Sequence, residues 1–247
     1  MTTTSPVRVE TMVDAMAARR PDHPALIFGE RRWTYTELCA EMDRRAAVLV
    51  AAGLQPGEIV AAAEPFDDHL AITYLACCRA ALILFLLSPA LPAAAVSPLL
   101  GRARPRMLLT ADGQPHAAAP DRTVLPLALP GVAHEAAARE ARHRSATGTA
   151  EAVAVIVATS GTTGGKTKLV RVPHREQTWR RGTPAWCETA DDIYAVPRLS
   201  QFTPRLLSTV LGVGGTFALS NTFDPEQVEA DAMACGATIL VTVPVLL

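Results

Sequence analysis

Leu82-Ile83-Leu84-Phe85-Leu86-Leu87 is a run of six consecutive apolar residues. Successive side chains of a strand point to opposite faces, so a strand with one wet face alternates apolar and polar residues. An uninterrupted run needs cover on both faces, which is the situation of a parallel strand between helical layers. The flanking sequence fits that demand. Val9, Met12, Val13 and Met16 make one face of a helix over 8–20, which Pro21 stops. Ala25–Phe28 and Trp33–Tyr35 read as a β-hairpin around Gly29-Glu30-Arg31-Arg32. Thr34 and Glu37 form a capping box. The helix they start shows Leu38, Met42, Ala46, Leu49 and Val50 on one face, with Gly53 as its C′ residue. A strand is expected at Ile59–Ala63. A helix capped by Asp67 or Asp68 should run to about Ala80, with a further helix near Ala93–Arg104 and a strand near Arg106–Thr110. Helix and strand alternate over the first 110 residues, which implies an α/β layered fold.

Residues 111–150 show no clear period. The stretch 129–150 is expected to connect an N-terminal α/β subdomain (1–128) to a second α/β subdomain (151–247). Glu135–Arg144 suits an exposed helix without a strong apolar face. In the second half, strands are expected at Val153–Ala158, Leu169–Val172, Ile193–Val196, Thr216–Leu219 and Ala237–Val243. Helices should follow His174, Pro204 and Asp224, the last reaching Cys235-Gly236.

Several function classes drop out on composition. The net charge is −1 and aromatics are 5%, so neither a basic field nor a stacking platform draws the chain to nucleic acid. Ala80–Gly101 carries no charge, but Pro89, Pro92 and Pro98 divide it into a strand, a turn and a short helix rather than a membrane span. Cysteines at 39, 77, 78, 187 and 235 show no metal-ligand spacing, so no metal site is expected from them. Their odd number and the lack of a secretory leader point to the cytoplasm.

The stretch most loaded with chemistry is Thr159-Ser160-Gly161-Thr162-Thr163-Gly164-Gly165-Lys166-Thr167-Lys168. It leaves an apolar strand and brings together three glycines, five hydroxyl residues and two lysines. Glycines permit positive φ and close approach, and successive N–H groups form an anion-holding nest. Of 23 basic residues, Lys166 and Lys168 are the two lysines; the rest are Arg. Lysine offers phosphate a compact point charge. This is a loop suited to gripping phosphate oxygens.

Two readings compete for it. Gly165-Lys166-Thr167 ends like a Walker A loop, but Ser160 stands where its first glycine belongs. A Walker lysine also opens a long helix, whereas here a β-type run and Pro173 follow. The hexapeptide Thr159–Gly164 with Lys168 after a spacer, and then Leu169-Val170-Arg171-Val172-Pro173-His174, resembles the adenylate-forming superfamily of acyl- and aryl-CoA synthetases, luciferases and peptide-synthetase adenylation domains. The stretch looks most like that of ligases activating aryl acids. Phe28–Leu38, Ser88–Pro92, Ala195–Phe202, Leu211–Gly215 and Phe223–Glu226 extend the resemblance over nearly the whole chain. The fold it implies is the layered βα large N-terminal domain of that superfamily, present in part.

The activity it implies has two steps. A small carboxylic acid attacks the α-phosphate of ATP, with Mg2+ sharing the phosphate charge. The acyl group of the resulting acyl-AMP then passes to CoA or to a phosphopantetheine carrier protein. By resemblance, Lys168 is the catalytic cation. Thr159, Ser160, Gly161, Thr162, Thr163, Gly164 and Lys166 hold the ATP phosphates. Ser200, Gln201 and Phe202 stand where aryl-acid ligases show His-Asn-aromatic, so Gln201 and Phe202 are candidates to meet the acid and Ser200 departs from the pattern. A packing role for Phe202 and a surface role for Gln201 remain equally open. His174 is expected to cap or pack rather than to catalyse. The superfamily's ribose and lid motifs do not occur in the sequence. The chain is therefore expected to be inactive or impaired alone, and to need a C-terminal half supplied in trans or in a longer product. A non-catalytic nucleotide-binding module and a P-loop NTPase stay as alternatives.

Overall fold

The first apolar face condenses as α1 (Val9–Arg19). The hairpin follows as β1 (Pro24–Phe28) and β2 (Arg31–Thr34). In the computed structural model, which describes residues 7–62, 67–88, 91–114, 123–132, 134–159, 167–178, 189–197, 203–220, 222 and 224–241, α2 (Tyr35–Ala51) starts at the capping box expected from sequence. The Glu37 carboxylate accepts from the Thr34 N–H (2.8 Å), and the Glu37 N–H donates to Thr34 Oγ1 (3.2 Å). Gly53 ends the turn after α2 with φ of 84°.

Next come β3 (Ile59–Ala62), α3 (Asp68–Arg79), β4 (Ile83–Leu86), α4 (Ala93–Ala103) and β5 (Met107–Thr110). Asp67 is the cap of α3, accepting from the Leu70 N–H. Asp68 is buried instead, holding Arg31 (2.6 Å) and the Trp33 indole N–H (3.3 Å) of β2. Then come β6 (Val124–Pro126) and α5 (Glu135–Thr147). The second half contributes β7 (Val153–Thr159), β8 (Lys168–Pro173), α6 (His174–Thr178), β9 (Ile193–Val196) and α7 (Thr203–Val213). The described chain ends with β10 (Thr216–Leu219), α8 (Pro225–Cys235) and β11 (Ile239–Leu240).

Two mixed sheets form. One runs β11-β9-β10-β1-β2 and the other β6-β5-β3-β4-β7-β8, parallel except at the β1–β2 and β7–β8 hairpins. β4 shows why its sequence is apolar throughout. Leu84 and Leu86 enter the large core between the sheets, while Ile83, Phe85 and Leu87 enter a smaller core under Val96, Leu99 and Leu100 of α4. The large core also takes Leu26 and Phe217 from the other sheet and Leu38, Tyr74 and Leu207 from intervening helices. The order is thus sheet, helical layer, sheet, with α4 on an outer face. Both sheets draw strands from either side of 129–150, since β1 pairs with β10 and β4 with β7. Within that segment α5 docks through Ala141, Arg144 and Ser145 and packs on α2 and α3. No helix among the described residues is long and apolar enough to cross a membrane.

Candidate nucleotide-phosphate site

The phosphate-loop candidate is the connection of a hairpin. β7 pairs antiparallel with β8, from Val153↔Pro173 to Thr159↔Lys168. Thr159 and Lys168 thus stand opposite one another at its mouth, with Lys168 exposed. The loop residues Ser160, Gly161, Thr162, Thr163, Gly164 and Lys166 lie outside the described residues. The loop leads into a strand, not into the long helix of a Walker A site.

The mouth sits where a ligand is favoured. β3, β4, β5 and β7 all run parallel, so the loop leaves the carboxyl edge of that sheet. Crevices outside the carboxyl ends of strands are the general ligand sites of open α/β sheets. Helix α4 reaches the same edge, and the Arg102 guanidinium donates to the Thr167 carbonyl (2.7 Å). Sequence reasoning passes over Arg102, because an exposed arginine far away in sequence carries no local signal.

At the other end of β8 the chain is clamped to α1. The His174 N–H donates to Ala152 O (3.0 Å), and the Thr178 hydroxyl donates to Val7 O (3.0 Å). His174 is buried, and its Nδ1 accepts from the Val9 N–H (3.2 Å). Burial, together with the nearby Arg8, pushes its pKa down to about 3, so the ring is neutral. That is the packing role expected for it. Glu10 is fully buried, and desolvation raises its carboxyl above the usual range against the pull of Arg8, whose Nε lies 2.5 Å from Oε1.

The acid-pocket stretch Ser200, Gln201 and Phe202 also lies outside the described residues. Its flanks are placed: Pro197 is buried at the end of β9 and Thr203 opens α7. A cavity of about 230 Å³ adjoins Pro197, walled by Val196, Leu219, Ile27 and, from α8, Val228 and Ala232. On its polar side the Ser220 hydroxyl donates to Asp231 Oδ2 (2.5 Å), and the Gln227 amide donates to Oδ1 of the same carboxylate (2.8 Å).

The family described as AMP-binding enzyme matches residues 13–247. A methyl-dioxo-octahydro-indenyl-propanoyl:CoA ligase of Mycobacterium tuberculosis is 30% identical over 243 residues, covering 88% of this chain and 47% of the relative. Tyrocidine synthase 2 of Brevibacillus parabrevis is 27% identical over 167 residues, covering 68% of this chain and 4% of the relative. The chain therefore spans less than half the length of these curated relatives. Among solved structures, apo MbtA of Mycobacterium smegmatis superposes with a TM-score of 0.79 at 24% identity, covering 99% of this chain and 50% of that one. The N-terminal subdomain of Klebsiella oxytoca NpsA, solved with 3-hydroxybenzoyl-AMSN, gives 0.77 at 24% identity over 97% of this chain and 60% of that one. The match over 13–247, with the same fold in both neighbours, places the chain in the AMP-binding enzyme family of adenylate-forming ligases.

Proposed function

We propose that this chain supplies the nucleotide-phosphate grip, and part of the acid site, of an ATP-dependent carboxylate-activating ligase. A carboxylate oxygen attacks the α-phosphorus of ATP, the bond to the bridging oxygen breaks, and pyrophosphate leaves. The acyl-AMP then gives its acyl group to the thiol of CoA or of a phosphopantetheine carrier protein, releasing AMP. Charge develops on the departing pyrophosphate, so fixed donors and cations there lower the barrier. Thr159, Ser160, Thr162, Thr163 and the amides of Gly161 and Gly164 hold the oxygens, Lys168 supplies the fixed charge, and Lys166 assists. The acid is a small carboxylic acid of the aryl class, met by Ser200, Gln201 and Phe202.

The observation that carries this reading is the hairpin: a glycine–hydroxyl loop closed by Thr159↔Lys168 at the carboxyl edge of a parallel sheet. The strand after the loop weighs against the P-loop hydrolase alternative. Mg2+ belongs to the nucleotide here. Among the described residues, the cluster of three metal-capable side chains is Glu10, Cys78 and His174, and a thiol and an imidazole are foreign to Mg2+. Ribose and lid contacts are assigned to further polypeptide, joined or in trans.

Carboxylate-dependent exchange of pyrophosphate into ATP tests the proposal. A panel of benzoic acids is assayed with the 247-residue chain alone and with the C-terminal portion of a family relative added. Exchange that requires both the acid and the added portion is expected. ATP binding with no exchange under either condition favours the non-catalytic binding module, and acid-independent ATP hydrolysis overturns the ligase reading.

A further inference from the structure

Glu10, Cys78 and His174 come from three places in the chain, α1, α3 and the start of α6. Each offers one ligand atom, and these atoms lie within 4.8 Å of one another. All three residues are buried, at 0%, 0% and 1% exposure. The hydrogen bonds around them define what faces what. The Val9 N–H donates to His174 Nδ1, so that nitrogen carries no proton and its one lone pair accepts this bond. Glu10 Oε2 lies 3.8 Å from it and has no hydrogen-bond partner. The other carboxylate oxygen is fully engaged, by Arg8 Nε (2.5 Å) and the Ser145 hydroxyl (2.7 Å). Arg8 is in turn fixed by donating from Nη2 to Cys78 O (2.6 Å).

The one lone pair of Nδ1 is thus held by the Val9 N–H, whereas Glu10 Oε2 stands unpartnered beside it, with the Cys78 sulfur within 4.8 Å. An unsatisfied buried carboxylate oxygen is costly. A cation there would bond that oxygen and the sulfur, and would take the Nδ1 lone pair from the Val9 N–H. The pattern on Oε1 is also the one that outer-shell donors impose on a ligating carboxylate, orienting its free oxygen.

We propose that Glu10 Oε2, Cys78 Sγ and His174 bind a zinc ion that joins α1, α3 and α6. The mixed O, S and N set suits zinc and is wrong for the hard cations Mg2+ and Ca2+. Bonds of about 2.0–2.3 Å around a tetrahedral ion bring the ligand atoms closer together than they stand here, which small side-chain rotations supply. The fourth position takes a water. On binding, the S–H bond breaks, the sulfur–zinc bond forms and the proton leaves to solvent; the Val9 N–H gives up Nδ1 to the ion, while Arg8 stays on Oε1. The site lies at the end of β8 opposite Lys168, so the ion holds the phosphate hairpin to α1.

Cobalt is the probe. The full chain is stripped with a chelator, dialysed and titrated with Co2+. One equivalent is expected to bind, with a thiolate-to-cobalt charge-transfer band in the near ultraviolet that Zn2+ abolishes by displacement. Cys78→Ser should remove the band. Glu10→Gln and His174→Gln should weaken binding by at least about tenfold, since even outer-shell losses cost that much. A variant with Cys39, Cys77, Cys187 and Cys235 all changed to serine leaves Cys78 as its one thiol and should keep the band, which holds the test open if Cys78→Ser fails to fold. No stoichiometric cobalt binding, a band that survives Cys78→Ser, or its loss in the four-serine variant overturns the proposal.

Discussion

Thr159 and Lys168 face each other as the last paired residues of the β7–β8 ladder. The strand pairing behind them fixes where the loop leaves and re-enters the sheet. It places the Lys168 backbone at the mouth whatever the loop holds.

Lys168→Ala is expected to weaken ATP binding at least tenfold, because a hydrogen bond to a charged group contributes about 1.5–3 kcal/mol. Lys166→Ala should cost less, since Lys166 only assists. Calorimetric titration of ATP into each variant separates them. The reverse ranking would point to the Walker-type alternative.

Phe85→Ala removes the largest side chain of the small core between β4 and α4. A fully buried phenylalanine truncated to alanine typically costs about 3–5 kcal/mol. Denaturant unfolding should show that loss, and a change below about 1 kcal/mol would mean that α4 is not held against the sheet through this side chain.

The Tyr35 hydroxyl donates to Gly215 O (2.8 Å) and Leu211 O (3.3 Å), binding α2 to the turn between α7 and β10. Desolvation raises its pKa far above the ordinary phenol value, so it remains a donor at all practical pH. Tyr35→Phe leaves a buried carbonyl short of a donor and should destabilise by about 1–3 kcal/mol in the same unfolding assay.

Burial and the Asp14 carboxylate push the Cys39 thiol up to about 12. The thiolate is the nucleophile, so its fraction sets the alkylation rate. At pH 9 Cys39 should react with iodoacetamide on the order of 100-fold or more slowly than an unperturbed thiol of pKa ≈ 8.5, and the rate should still rise about tenfold per unit up to about pH 11. A plateau near pH 9, followed by mass spectrometry of the modified peptide, would contradict this.

Much of the layered fold was legible because its signals are local. The capping box at Thr34 and Glu37, the positive φ of Gly53 and the Asp224 cap are each decided within a few residues. Helix α5 was less so. It docks through Arg144, which donates from Nη1 to Leu54 O (2.8 Å), and through small Ala141, so no apolar stripe announces it. β6 spans only three residues, too short for a strand pattern to stand out. Of the candidate site, Thr159 and Lys168 were legible from a contiguous motif. Arg102 was not, because its role depends on the Thr167 carbonyl of a distant strand.

The sequence by itself determined what sequence-local physics can decide: a two-faced strand at 82–87, alternating helices and strands, and a loop at 159–168 that gathers glycines, hydroxyls and both lysines. Tertiary structure alone decided what depends on distant segments meeting. It interleaved both halves of the chain in two sheets. It also buried Arg8 and Glu10 and brought Glu10 against Cys78 and His174. Residues 68 and 164 positions apart become neighbours only when α1, α3 and α6 pack on one core, and no spacing rule along the chain encodes that meeting.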